Sequence, residues 1–124
     1  MTKLETPLHR VQGLGAAHSG TTHFWRQRVT AAALIPLTIW FGYAVLHLIG
    51  AHQVMVLSFF QHPVNMALMG LFMLAACIHM VLGLQMVIED YIHTEGTKIL
   101  LLLLARGAGW LIGATSIIAL LGMR

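Results

Sequence analysis

An all-α integral membrane protein with three transmembrane helices is the fold class this sequence predicts. Two observations carry the prediction. The first is composition: 58% of the 124 residues are hydrophobic and only 9% are charged, with a mean hydropathy of +0.81. A soluble domain carries about 25% charged residues, so too few charges exist here to cover a water-facing surface, and lipid must be the solvent. The second is patterning. Apolar residues gather into three long runs, over about 29–49, 64–88 and 99–121. Each holds the roughly 20 residues that a helix needs to cross the hydrocarbon core. The predicted organisation is an N-terminal arm over 1–28 followed by a three-helix membrane anchor over 29–124.

Taken in order, the arm is polar. Its Gly13, Gly15, Gly20 and Ser-Gly-Thr-Thr stretch predict loop or a short surface element. The first apolar run is too long for a cleavable h-region and lacks a cleavage site, so no signal peptide is expected. The arginines and few acids of the arm leave an organelle transit peptide as a weaker reading. Pro36 falls inside the first helix, where a kink is tolerated when neighbours satisfy the freed carbonyl. Pro63 stands where the second helix should begin, a favourable place for proline. In the third helix Ala105, Gly109 and Gly113 recur every fourth residue, a spacing that lets two helices approach closely. Cys77 is the only cysteine, which excludes an intrachain disulfide and predicts a small apolar packing residue.

The formal charge of +3 and isoelectric point near 9.6 report topology rather than nucleic acid binding. Lys3, Arg10, Arg26 and Arg28 precede the first helix against Glu5 alone, and the 50–63 loop has neither Lys nor Arg. Lys98 lies in the second loop, Arg106 just inside the third helix, and Arg124 ends the chain. Basic loops stay on the cytoplasmic side. The N-terminus is therefore expected to be cytoplasmic and the C-terminus periplasmic.

His79 is the residue an apolar span must account for. It lies about three residues inward of the second helix's midpoint, roughly 4–5 Å from mid-bilayer. An ionisable side chain at that depth is costly and faces protein or a cofactor rather than lipid. Three roles are open: an interhelical hydrogen bond, a proton path, or ligation of a metal or haem. At about 100° per residue Phe72, Ala75, His79, Gly83, Met86 and Asp90 share one face. The small Ala75 and Gly83 predict a recess beside the imidazole that suits a flat macrocycle, and a hydrogen bond to a neighbouring helix stays open beside it. His47 sits about 16 Å further out and Met86 about 10 Å along the same face, so neither can complete the coordination of one iron with His79. A haem held here needs its second ligand from a partner subunit.

At the end of the same helix stand Glu89, Asp90 and Tyr91. A helix C-terminus disfavours negative charge. The acids therefore imply either a function or a salt-bridge partner, with Arg28 the leading candidate. The plainer reading is a polar cap with Tyr91 in the interfacial aromatic belt.

The run "HMVLGLQMVIEDYIH", residues 79–93, resembles the second-helix signature of the small membrane-anchor (D) subunits of succinate dehydrogenase, respiratory complex II. So does "SGTTHFWRQRVTAAALIPLTIWF", residues 19–41, with its Gly-Thr-x-His-x-Trp and Gln-Arg-x-Thr-Ala patterns. "GLGAAHSG" and "HTEGTKILLLLL" are similar to the alphaproteobacterial branch, and the resemblance spans nearly the whole chain. It implies a bacterial inner-membrane subunit in which His79 is an axial ligand to the iron of haem b, the other coming from the cytochrome b (C) subunit. It implies further that Tyr91 hydrogen-bonds a ubiquinone carbonyl beside the iron–sulfur subunit and that Asp90 delivers a proton or positions that site. Arg28 would lie near the haem propionates and quinone pocket. His23 and Trp25 match the pattern without an implied role, and Arg106 departs from it and is expected to snorkel to the inner surface.

By the same resemblance, a flavoprotein subunit holding FAD would oxidise succinate and pass electrons through iron–sulfur clusters to ubiquinone, joining the tricarboxylic acid cycle to electron transport. This chain has no flavin fingerprint and no cysteine cluster, so no succinate-oxidising site is expected on it. Two rivals stand: the anchor of a quinol:fumarate reductase, and a cofactor-free membrane adaptor in which His79 only hydrogen-bonds a neighbour. A small transporter is disfavoured, because no intramembrane acid pairs with His79 and no inverted repeat is visible.

Overall fold

The structure is a computed structural model and describes residues 6–12 and 18–123. It contains α1 (Pro7–Gln12), α2 (His18–Leu48), α3 (Gln53–Gln61), α4 (Pro63–Tyr91) and α5 (Glu95–Leu121), with no strand among the described residues. Three stretches, Gly20–Leu48, Pro63–Tyr91 and Glu95–Leu121, are long and apolar enough to cross a membrane, with mean hydropathies of 1.8, 2.2 and 1.7. At 1.5 Å per residue a 29-residue helix is about 43 Å long, longer than the roughly 30 Å hydrocarbon core, so its ends reach the interfacial layers.

Two elements differ from the expectation. Residues 18–28, read as loop or a short surface element, are helical and continuous with the first span. Glycine and threonine are weak helix formers, but extending an existing helix adds one hydrogen bond per residue fixed without a new nucleus. Gly13 and Gly15 lie outside the described residues, as do Lys3 and Glu5. The second difference is α3. The outer loop folds into nine residues of helix, QVMVLSFFQ, which contain no glycine or proline to break it and are too short to span. Gly50, at φ +73°, makes the turn that α2 needs before α3, in a conformation L side chains rarely adopt. Pro36 sits inside a continuous α2, and Pro63 occupies the first turn of α4 as expected.

The architecture centres on α4, which packs on α2 along one face and on α5 along another, while α3 rests near its start. The α5 face is a ladder of small residues. Gly70 lies against Leu120, Cys77 against Gly113, and Val81 against Gly109. Steps of seven and four residues up α4 are matched by equal steps down α5, the register of two closely apposed antiparallel helices. A Cβ on Gly113 would sit 3.8 Å from the Cys77 sulfur, an ordinary contact, whereas one on Gly109 would overlap Val81 Cγ2. The small-residue spacing thus does what the sequence led us to expect, and Cys77 packs as a small apolar group.

The α2 face is different in kind. Phe72 stacks on Phe41 at 4.7 Å between ring centroids near the outer half, and His79 meets Thr30 further in. Only Ala44, Phe60, Leu82 and Leu120 are buried hydrophobic side chains among the described residues. Large apolar groups such as Trp110, Ile39 and Leu46 are exposed, as expected for a surface that lipid covers.

Candidate functional site

The α2–α4 seam is polar where it crosses the middle of the bundle. Thr30, Gln27 and His23 recur on one face of α2 at helical spacing, opposite the face of α4 that carries His79 and Gly83. His79 Nδ1 lies 3.1 Å from Thr30 Oγ1, and both residues are half-buried. One turn further in, Gln27 Nε2 lies 3.7 Å from where a Cβ on Gly83 would stand. A glutamine side chain from α2 therefore borders the recess expected beside the imidazole at Gly83. Two buried side-chain atoms on this seam, His23 Nε2 and Gln27 Oε1, have no hydrogen-bond partner among the described residues.

Of the three roles open to His79, an interhelical hydrogen bond and ligation of haem do not exclude each other. An imidazole has two nitrogens, and here Nδ1 is engaged while Nε2 makes no hydrogen bond among the described residues. Metal-ligating histidines almost always hold the other ring N–H on an acceptor, which fixes tautomer and orientation. The donor chemistry around His79 fits a haem ligand on that test.

The register of the seam places the other candidates. His79 is level with Thr30, so Arg28 lies about 3 Å along α2 toward the α4 C-terminus, and Asp90 lies about 16 Å away along α4. Arg28 is two residues from Thr30, about 160° round the helix, with its guanidinium 5.1 Å from the Phe24 ring centroid. No ion pair joins Arg28 to Glu89 or Asp90 among the described residues. The expected salt bridge fails because the two helix positions sit at different depths. Glu89 instead accepts a hydrogen bond from Gln85 Nε2 at 2.8 Å, and Gln85 Oε1 accepts one from Arg106 at 3.3 Å. Arg106, expected to snorkel to the inner surface, instead ties α5 to the inner end of α4 through this bond.

Asp90 and Tyr91 end α4, both exposed, and Tyr91 at 76% makes no hydrogen bond among the described residues. His47 is far from His79: its ring pairs with Tyr43 at 5.9 Å and Phe59 at 5.8 Å, at the outer end of α2. An open groove of about 680 Å³ runs beside Thr30, lined by Arg26 and Val29 of α2, Ile78 of α4 and Trp110 of α5. Trp25, which matched a sequence pattern without a role, also lines it.

Residues 2–121 match the family described as succinate dehydrogenase/fumarate reductase transmembrane subunit. The chain belongs to this family. A succinate dehydrogenase hydrophobic membrane anchor subunit of Paracoccus denitrificans is 34% identical over 118 residues, 95% of this chain and 91% of that protein. The subunit of the same description from Rickettsia bellii is 30% identical over 83 residues, covering 67% of this chain and 66% of the relative. A succinate dehydrogenase membrane anchor subunit of Reclinomonas americana is 31% identical over 91 residues, covering 71% and 76%. No solved structure matches the chain. As a transmembrane subunit of this family with three spanning helices, the chain is a multi-pass membrane protein, and the bacterial relatives fit an inner-membrane location.

Proposed function

We propose that the chain is the membrane anchor of a succinate:ubiquinone oxidoreductase, contributing His79 to haem b and Tyr91 and Asp90 to a ubiquinone-reduction site. The observation that carries the reading is the His79 environment: an imidazole well inside a spanning helix, with Nδ1 occupied by Thr30 and Nε2 left for a ligand. An unengaged histidine at that depth would be costly. The relatives' printed descriptions favour the succinate-oxidising direction over the fumarate-reducing rival. The cofactor-free adaptor would need only the Nδ1 contact.

Bound haem would supply a one-electron relay inside the membrane. The residues of this chain bind and orient. His79 offers the Nε2 lone pair, and the C subunit offers the opposing ligand. Arg28, near the depth of His79 but on another face of α2, would present its cation to propionates from the side of the partner subunit. Tyr91 donates its phenolic O–H to a quinone carbonyl oxygen, and the adjacent Asp90 carboxyl exchanges protons with water at the membrane surface. The exposure of both residues suits a site whose remaining walls come from the iron–sulfur and C subunits, with the flavoprotein beyond them. The distribution of Arg26, Arg28, Lys98 and Arg106 supports a cytoplasmic N-terminus.

Tyr91→Phe tests the quinone site. With succinate as donor, ubiquinone reduction should fall by about tenfold, the loss of one hydrogen bond in the transition state. Reduction of a water-soluble dye by the flavoprotein should be unchanged. Equal rates with ubiquinone for both proteins would remove Tyr91 from the site.

A further inference from the structure

We propose that Thr30 is the positioning residue of His79: its hydroxyl oxygen accepts the Nδ1–H, fixes the ring's rotation and tautomer, and sets how strongly Nε2 donates to iron. The inference rests on haem ligation by His79 and adds which residue governs that ligand.

Proton accounting leads to it. A threonine hydroxyl has one proton and two lone pairs. Thr30 Oγ1 lies 2.8 Å from the Arg26 carbonyl oxygen and 3.1 Å from that of Gln27, both in the preceding turn of α2. The single proton is consumed by that turn. With that proton given to the turn, the third neighbour, His79 Nδ1 at 3.1 Å, is assigned as the donor. An imidazole with its proton on Nδ1 carries its lone pair on Nε2, the form that binds a metal.

Threonines commonly bond back to their own helix, and that alone would say nothing about the site. The contact to a residue 49 positions away is what gives the hydroxyl a second task. Outward on the same face, Ala33 and Leu34 carry no acceptor in their side chains, and the acceptor one turn inward, Gln27 Oε1, makes no hydrogen bond to His79. Threonine also suits the task better than serine, because a β-branched side chain is stiff at χ1 and the carbonyl bonds hold the oxygen in place. Inside the membrane the low dielectric strengthens this hydrogen bond. Drawing the Nδ1 proton toward an acceptor makes the ring more basic at Nε2, which stabilises ferric over ferrous iron and lowers the midpoint potential.

The test is a redox titration of the haem, with low-temperature electron paramagnetic resonance, on the intact purified complex. Thr30→Val and Thr30→Ala remove the acceptor, and Thr30→Ser keeps it. Both apolar variants should shift the ferric/ferrous preference by roughly tenfold, raising the potential by about 59 mV for a one-electron couple, and should broaden the low-spin signal. Thr30→Ser should stay near the wild-type potential. Should Thr30→Val not assemble, Thr30→Ala carries the comparison. Wild-type potentials and line shapes in the apolar variants, with haem lost in His79→Ala, would overturn the role of Thr30 and leave the ligand standing. A wild-type complex without b-type haem, or haem indifferent to His79→Ala, would overturn the ligand reading and this inference with it.

Discussion

Along one side of α4, Cys77 and Val81 meet Gly113 and Gly109 of α5; along another, His79 and Gly83 meet Thr30 and Gln27 of α2. The same helix is held by two different kinds of contact. Between helices in lipid there is no hydrophobic driving force, because the alternative neighbour is as apolar as the helix itself. The α5 seam meets that condition by removing side chains, so that backbones approach and dispersion contacts accumulate. The α2 seam places polar atoms where none are needed for packing, and two of them, His23 Nε2 and Gln27 Oε1, lack partners among the described residues. A buried polar atom without a partner costs free energy. One seam is built for attachment, and the other carries a polar cost that packing alone does not require.

Substitutions should separate the two seams sharply. The largest effect is expected at Gly109, where any side chain meets Val81 Cγ2, an atom too close to its own backbone to move aside cheaply. Gly109→Ala should destabilise the chain by about 1–3 kcal/mol, read as a lower midpoint in detergent denaturation of the complex, and Val81→Ala in the same chain should recover most of the loss. An unchanged midpoint for Gly109→Ala would mean that α4 and α5 are not in this register.

A smaller effect, with the opposite character, is expected on the polar side. Gln27→Leu keeps roughly the same volume and removes a buried amide whose oxygen has no partner, so stability should change by less than about 1 kcal/mol and in the favourable direction. A clear loss of stability would show that Gln27 Oε1 has a partner in the assembled complex.

How much of this was legible in the sequence differs from seam to seam. The three spans and the glycine ladder are properties of one chain's own pattern: hydropathy reads directly as span, and every-fourth small residues read directly as close approach. His79 was legible for the same reason, since an ionisable group in an apolar run announces itself. Its partner was not. With the first span taken to begin at residue 29, Thr30 stood at the mouth of the helix while His79 stood near the midplane, and no pairing suggested itself. The helix begins at His18, its membrane-spanning part at Gly20, and the centre of the span moves inward until Thr30 and His79 come level. The helix boundary, set by backbone continuation rather than by hydropathy, hid the contact. α3 was hidden similarly, because a nine-residue apolar helix is too short to register as a span. Arg28 and Asp90 misled in the other direction: charge complementarity suggested a pair that helix register forbids.

Ligation of haem by His79 from within the α2–α4 seam is read in the reduced-minus-oxidised spectrum of the complex, purified through this chain. A b-type haem signal is expected in the wild type and should be lost or shifted in His79→Ala while flavin and iron–sulfur subunits still co-purify. The same spectrum in both proteins, or no haem in either, would contradict it.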